Sequence, residues 1–466
     1  MSQRNNGAPT ELGTERIGTL LRKYAVPGII AMTASSLYNM VDSIFIGHIE
    51  GVGAYAISAL AVTFPLMNLS TAFGTLVGVG SSTLTSVMLG QRNYETASKV
   101  LRNTVSLNII IGLLFMGVVF AFLDPILAFF GASENTLGYA KDYITVILIG
   151  NVVTHLYFGL NNLIRASGNP RTAMGLTIFT VTSNTIMDPI FIFGLGMGIK
   201  GAAVATVLCQ AMALCYTFWF LAKKSPVLKF GRKIFDLDWR IAKSSLSIGL
   251  GPFLMNAAAC IVTLFINQQL GKYGGDLSIG AYGVNNRLTF LFLMINMGLN
   301  QGMQPIASYN FGARQYSRVK EVFWLTARWM SLVTVLCFLV SEFLPEPCAR
   351  IFTNDPELIR RSVDGIRIMN AAIAFVGFGM ASGNIFQCLG MVKTSIFLSL
   401  SRQLLFLVPL IYVLPLSMAE KGVWLSFPIS DLMSIVVAGI FIARLFRKFS
   451  KLNDGDDPSI LGGAIK

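Results

Sequence analysis

The chain has 466 residues, of which 54% are hydrophobic and 13% charged. That is too apolar and too sparsely charged for a soluble protein of this length, and it points to a polytopic membrane protein. A net charge of +13 would suggest nucleic acid in a soluble chain, but here the basic residues gather in segments between apolar runs. The excess is therefore read as topology, and no nucleic acid partner is expected.

The first 23 residues are polar and carry Arg4, Arg16, Arg22 and Lys23, with no short apolar segment and small-residue cleavage site ahead of the first long run. They read as an N-terminal cytoplasmic segment, residues 1–23, with the first helix inserting as its own signal. Twelve apolar stretches of about bilayer length follow. They cover 25–48, 55–88, 98–122, 138–160, 168–193, 199–222, 244–270, 278–308, 322–343, 362–386, 395–415 and 423–446. "QRNYETASKVLR", "RASGNPR", "KKSPVLKFGRKIFDLDWRIAK", "ARQYSRVK", "KTSIFLSLSR" and "RLFRKFSK" hold most of the remaining Lys and Arg, so these segments and both termini are expected to be cytoplasmic.

An internal repeat runs through the chain. "LGQRNYETASKV" at 89 resembles "FGARQYSRVKEV" at 311, and "NNLIRASGNPRT" at 161 resembles "GNIFQCLGMVKT" at 383, both at an offset of 222. Pro125 and Pro347, Asp142 and Asp364, and Gly168 and Gly390 keep that offset, while Gly201 and Gly422 miss it by one. Six helices have been duplicated in one orientation. Such parallel repeats form two lobes about a pseudo-twofold axis along the membrane normal, with a substrate path where they meet. The expected organisation is an N-lobe at 24–222, a cytoplasmic linker at 223–243, a C-lobe at 244–446 and a cytoplasmic tail at 447–466.

A charge at mid-bilayer costs roughly 2.5–3.5 kcal/mol, so each one inside a span needs an account. Asp42 lies in the first span, Asp188 in the fifth, Arg287 in the eighth and Asp431 in the twelfth. Asp42 and Asp188 fall at matching depths. Tyr38 and Asn184 precede them by four residues on the same helical faces, and Thr206 sits about two turns into the sixth span. One plane thus gathers two carboxyls, an amide, a phenol and a hydroxyl. Such a set suits a proton shared between carboxyls or an Na+ ion held by oxygen ligands. Arg287 and Asp431 read more readily as structural, without a nameable partner.

Other signals carry little. "GMGIKG" matches GxGxxG but follows an apolar helix, and no GxxxxGK[ST] motif occurs. His48 and His155 lack a neighbouring acid or cysteine motif, and the six cysteines show no CxxC or metal-ligand spacing. No enzyme activity, cofactor or structural metal is expected. Pro27, inside the first span, removes a backbone hydrogen bond and permits a bend.

The segments "NMVDSIFIGH", "GQRN", "NNLIRASGNPRTAM" and "MDPIFIFGLGMGIKGAAVAT", with "FGAR" and "CLGMVKT" in the second half, together resemble the multidrug and toxic compound extrusion (MATE) family over essentially all twelve spans. The likeness is greatest to its DNA-damage-inducible-F-type branch. It implies an all-α antiporter with two six-helix lobes that rock to expel organic cations and amphipathic drugs in exchange for H+ or Na+. Matched motif to motif, its cation-coupling residues fall on Asp42, Tyr38, Asn184, Asp188 and Thr206, its substrate-binding tyrosine and asparagine on Tyr143 and Asn161, and its bending proline on Pro27. The acids of the Na+-coupled branch in the seventh and tenth helices are missing, with Cys260 and Phe378 in their places. The expected protein is a monomer in a bacterial cytoplasmic membrane. The rival reading is a lipid-linked oligosaccharide flippase of the same superfamily, which would line its cavity with several cations.

Overall fold

A computed structural model describes residues 10–47, 49, 53–130, 132–230, 235–352 and 355–458, and all its regular elements are helices. His48 lies outside the described residues. Twelve long helical segments follow in order. They are α1 (Ile17–Gly47), α2 (Gly53–Gly90), α3 (Tyr94–Ala121), α4 (Glu134–Ile149 with Asn151–Ala166), α5 (Pro170–Pro189 with Ile190–Gly194) and α6 (Ile199–Trp219 with Phe220–Lys224). The second six are α7 (Trp239–Gly274), α8 (Asp276–Gly312), α9 (Tyr316–Phe343), α10 (Pro356–Met369 with Val376–Cys388), α11 (Val392–Leu400 through Val408–Val413 to Pro415–Met418) and α12 (Glu420–Phe449).

Eight of these are long and apolar enough alone to cross a bilayer. Counting α4 and α10 as single bent spans gives ten. With α1 and α8, at 31 and 37 residues, the total matches the twelve expected from sequence. α8 is the less hydrophobic because it carries Asn285, Asn286, Arg287, Asn296, Asn300, Gln301 and Gln304.

The repeat is written into the backbone. Left-handed φ at a non-glycine residue is uncommon, yet Arg92 (φ 59°) and Arg314 (φ 58°) adopt it at the offset of 222. Gly168 and Gly390 share positive φ at the same offset, and Gly198 and Ala419 do so at 221. The bends agree too: α4 turns by 52° at Gly150 and α10 by 48° around 370–372.

Two compact units emerge, one of Ile30–Phe253 with the start of the chain through Thr14, the other of Glu15–Ile29 with Leu254–Lys466. α1 and α7 are therefore each divided between units, at Ile29/Ile30 and Phe253/Leu254. Glycine makes both crossings possible. In the second unit a Cβ on Gly28 would lie 2.7 Å from the Gly298 carbonyl oxygen, and one on Gly302 would lie 2.6 Å from the Ala25 backbone. In the first unit, Cβ atoms on Gly80 and Gly249 would land on the carbonyl oxygens of Ser245 and Leu76. Helix backbones touch there, as small residues allow in membranes.

The first unit's core combines Ala59, Val62 and Leu66 of α2, Phe115 of α3, Tyr143, Ile144 and Leu148 of α4, and Ala202 and Ala203 of α6. The segment after α6 is pinned to α3. Arg102 Nε donates to Asp236 Oδ2 at 3.2 Å, and the Asp238 backbone N–H donates to Asn103 Oδ1 at 3.1 Å. The segment after α12 does the same in the second unit, where Gly455 N–H donates to the Arg314 carbonyl at 2.8 Å and Asp454 meets Ser317.

Candidate functional site

α1, α5 and α6 bring the predicted cluster together within the first unit. Tyr38 and Thr206 hydroxyls lie 3.0 Å apart. Asn184 Nδ2 donates to Asp188 Oδ1 at 2.9 Å, one helical turn on, and lies 3.4 Å from Thr206 Oγ1. The Asp42 and Asp188 carboxyls face each other closely enough to interact. Tyr143 of α4 is buried beside them, near Tyr38 and both acids. Asp188, Asn184 and Asp42 are 0%, 3% and 6% exposed.

Local sequence explains the placement. Asp188 precedes Pro189, and α5 then widens into a π-helical turn at Ile190–Gly194. Such widenings recur at functional sites because they re-aim side chains without ending the helix. Gly201 lets α6 approach that turn, since a Cβ there would lie 2.7 Å from the Phe191 carbonyl carbon. That contact brings Thr206 to the level of Asn184.

Asp42 Oδ1, Asp188 Oδ2 and Asn184 Oδ1 are buried acceptors without a hydrogen-bond partner among the described residues. Orphan acceptors are costly. Three in one cluster, two of them carboxyl oxygens, make a place for positive charge: one proton bridging the carboxyls, or a small hard cation completed by the Asn184 and Thr206 oxygens. No group of three or more His, Cys, Asp or Glu among the described residues is arranged for a metal ion.

Asn161 is not part of the cluster. It lies on α4 beyond the bend at Gly150, and its Nδ2 donates to Thr177 Oγ1 at 3.3 Å. Tyr157 and Thr180 are paired nearby at 3.4 Å. Pro27 belongs to the other unit, three residues before α1 enters the first.

Two polar groupings escape the sequence. At the start of the second half of α4, Ser70 Oγ donates to Asn151 Oδ1 at 2.5 Å, Asn151 Nδ2 to the Gly112 carbonyl at 3.2 Å, and His155 Nε2 lies 2.9 Å from the Ser70 carbonyl. His155 so serves the bent α4 as a buried hydrogen-bonding residue. The partner of Asp431 is Arg402, whose Nε lies 2.5 Å from Asp431 Oδ1. Arg402 ends the basic segment "KTSIFLSLSR" and also falls within the apolar stretch expected at 395–415, and it stands inside α11.

The family model described as MatE matches residues 27–190 and 252–413. The chain is 26% identical over 422 residues to "Multidrug export protein MepA" of Staphylococcus haemolyticus (strain JCSC1435), covering 91% of this chain and 92% of that protein. Among solved structures, a ligand complex of the MATE multidrug transporter DinF-BH is 34% identical, with a TM-score of 0.86 over 93% of this chain and 96% of that one. An outward-facing MATE transporter of the MOP superfamily shares the fold, with a TM-score of 0.88 at 22% identity over 95% and 99% of the two chains.

Proposed function

The chain belongs to the MatE family, and from that premise we propose that it is a secondary multidrug exporter that expels organic cations and amphipathic drugs in exchange for H+ or Na+. The observation that carries this reading is the buried Asp42–Asp188 pair with its orphan acceptor oxygens. The export proteins named above support the substrate class.

Asp42, Asp188, Asn184, Thr206 and Tyr38 form the cation-coupling site. Two carboxylates buried together without a cation are costly, and a bound H+ or Na+ removes most of that cost. Occupied and empty sites therefore differ in charge, and they favour different arrangements of α1 against α5 and α6. Coupling needs only that difference in affinity between two states of the transporter. Pro27 gives α1 freedom to bend, and substrate is contacted by Tyr143, buried beside the acids, and by Asn161 on the far side of the α4 bend. The six-helix lobes at 24–222 and 244–446 alternate between two states, the protein acts as a monomer, and both termini face the cytoplasm of a bacterium.

The test is dye efflux from proteoliposomes with pH and Na+ gradients imposed separately. Wild type should respond to one gradient, and Asp42→Asn and Asp188→Asn should each abolish the gradient-driven component while inserting and folding normally. Full gradient-driven efflux by either variant would sink the coupling assignment.

A further inference from the structure

The two repeats have diverged in opposite electrostatic directions. At the offset of 222, the positions of Asp42 and Asp188 are taken by Leu264 and Leu410 in the second half. Conversely, Arg402 corresponds to Thr180, and Asp431, at the offset of 221 that relates Gly422 to Gly201, corresponds to Gln210. The second unit therefore has its own charges inside spans, Arg402 and Asp431, along with Arg287 on α8.

Their setting is built. Arg402 occupies a π-helical turn of α11, Ser401–Leu407. Asp431 follows Pro428 in α12, and its side chain is only 4% exposed. The pair is held through Arg402 Nε alone. The guanidinium's terminal nitrogens have no acceptor among the described residues, and the Arg402 side chain is 39% exposed. Tyr282 of α8 lies beside Thr263, Asn286 and the charge of Arg402, and its ring packs on Phe427, one turn before Asp431. Arg287 and Asn286 are themselves exposed on α8.

A part-exposed arginine inside a span does not sit against acyl chains without a large penalty. The outward row on these helices is apolar, formed by Leu404, Leu405, Leu432, Met433 and Val436. Asp431 fixes Nε and leaves the opposite edge of the fork presented, the edge suited to bidentate recognition of a carboxylate. We propose that the second unit holds a substrate subsite in which Arg402, oriented by Asp431 and bordered by Tyr282, receives the carboxylate of a zwitterionic amphiphile. The inference rests on the export reading and deepens it: within the second unit, Arg402 accepts the negative end of zwitterionic substrates.

The test uses one xanthene dye in two forms, the free-carboxylate zwitterion and its methyl ester cation, in proteoliposomes under the driving gradient. Wild type should export both. Arg402→Gln should lower the zwitterion-to-ester ratio of kcat/KM roughly tenfold or more, as expected for a lost charge-assisted hydrogen bond. Because that variant leaves Asp431 buried and unpaired, Arg402→Gln/Asp431→Asn is measured beside it and should show the same lowered ratio. The subsite is overturned if the ratio stays at the wild-type value in both variants, or if the double variant restores it, since Arg402 would then be only a counter-ion. It is also overturned if wild type exports the ester and ignores the zwitterion. Immobility of both dyes in wild type overturns the export reading itself, and this inference with it.

Discussion

Thr206→Val isolates one oxygen at the centre of the cation site. Valine keeps the β-branched shape and deletes only the hydroxyl, which lies 3.0 Å from the Tyr38 hydroxyl and 3.4 Å from Asn184 Nδ2. The first is a good bond and the second a weak one, and both are part-buried, so water offsets some of the loss. Together they are worth roughly 1–2 kcal/mol. At about 1.4 kcal/mol per tenfold, the coupling cation should bind roughly fivefold to thirtyfold more weakly. The half-saturating cation concentration for dye efflux in proteoliposomes reads this directly, and Thr206→Ser, which keeps the hydroxyl, should stay near wild type. A Thr206→Val protein with wild-type half-saturation, or a Thr206→Ser protein as impaired as Thr206→Val, would refute the assignment of this hydroxyl to the site.

Gly249→Ala should separate α7 from α2 at the Leu76 carbonyl and cost roughly 1–3 kcal/mol, lowering the thermal midpoint in detergent. Gly175→Ala, with open space around it, should leave the midpoint equal or higher. Asn151→Ala strips partners from Ser70 Oγ and the Gly112 carbonyl and should cost a similar amount, about 1–3 kcal/mol, read by the same thermal scan. Arg102→Ala releases Asp236 from α3, so trypsin should cut the segment between α6 and α7 faster than in wild type, at matched inhibitor-quench times.

Much of the fold is legible in the sequence because a bilayer-length apolar run has few alternatives to a helix. The repeat is legible for the same kind of reason, since Gly168 and Gly390 serve backbone conformations that other residues adopt at a cost. The bends in α4 and α10 are not legible: Asn151 and Asn370 look like tolerated polar residues in an apolar run, and only the structure gives them turns to end. The division of α1 and α7 between units is equally hidden, because hydropathy along a helix does not name its lateral neighbours. Within the site, the cost of burial marks Asp42 and Asp188, and helical spacing adds Tyr38 and Asn184. Thr206 is legible only through its depth, about two turns into the sixth span. Asp431 lacks a nameable partner in the sequence because Arg402, though within the stretch 395–415, closes a basic segment and does not stand out as a charge inside a span.

The divided α1 also bears on synthesis. Glu15–Ile29 leaves the ribosome about 270 residues ahead of Gly298 and Gly302, the backbone it packs against. At ordinary elongation rates that is a wait of roughly 15 to 55 seconds. During it the first half of α1 sits in the bilayer without its neighbours, and the second unit cannot close until nearly two-thirds of the chain exists. A chain cut in the segment between α6 and α7 should accordingly yield two fragments that are each incomplete, one missing the start of α7 and the other the start of α1. Only co-expression would let each fragment supply the helix half that the other lacks.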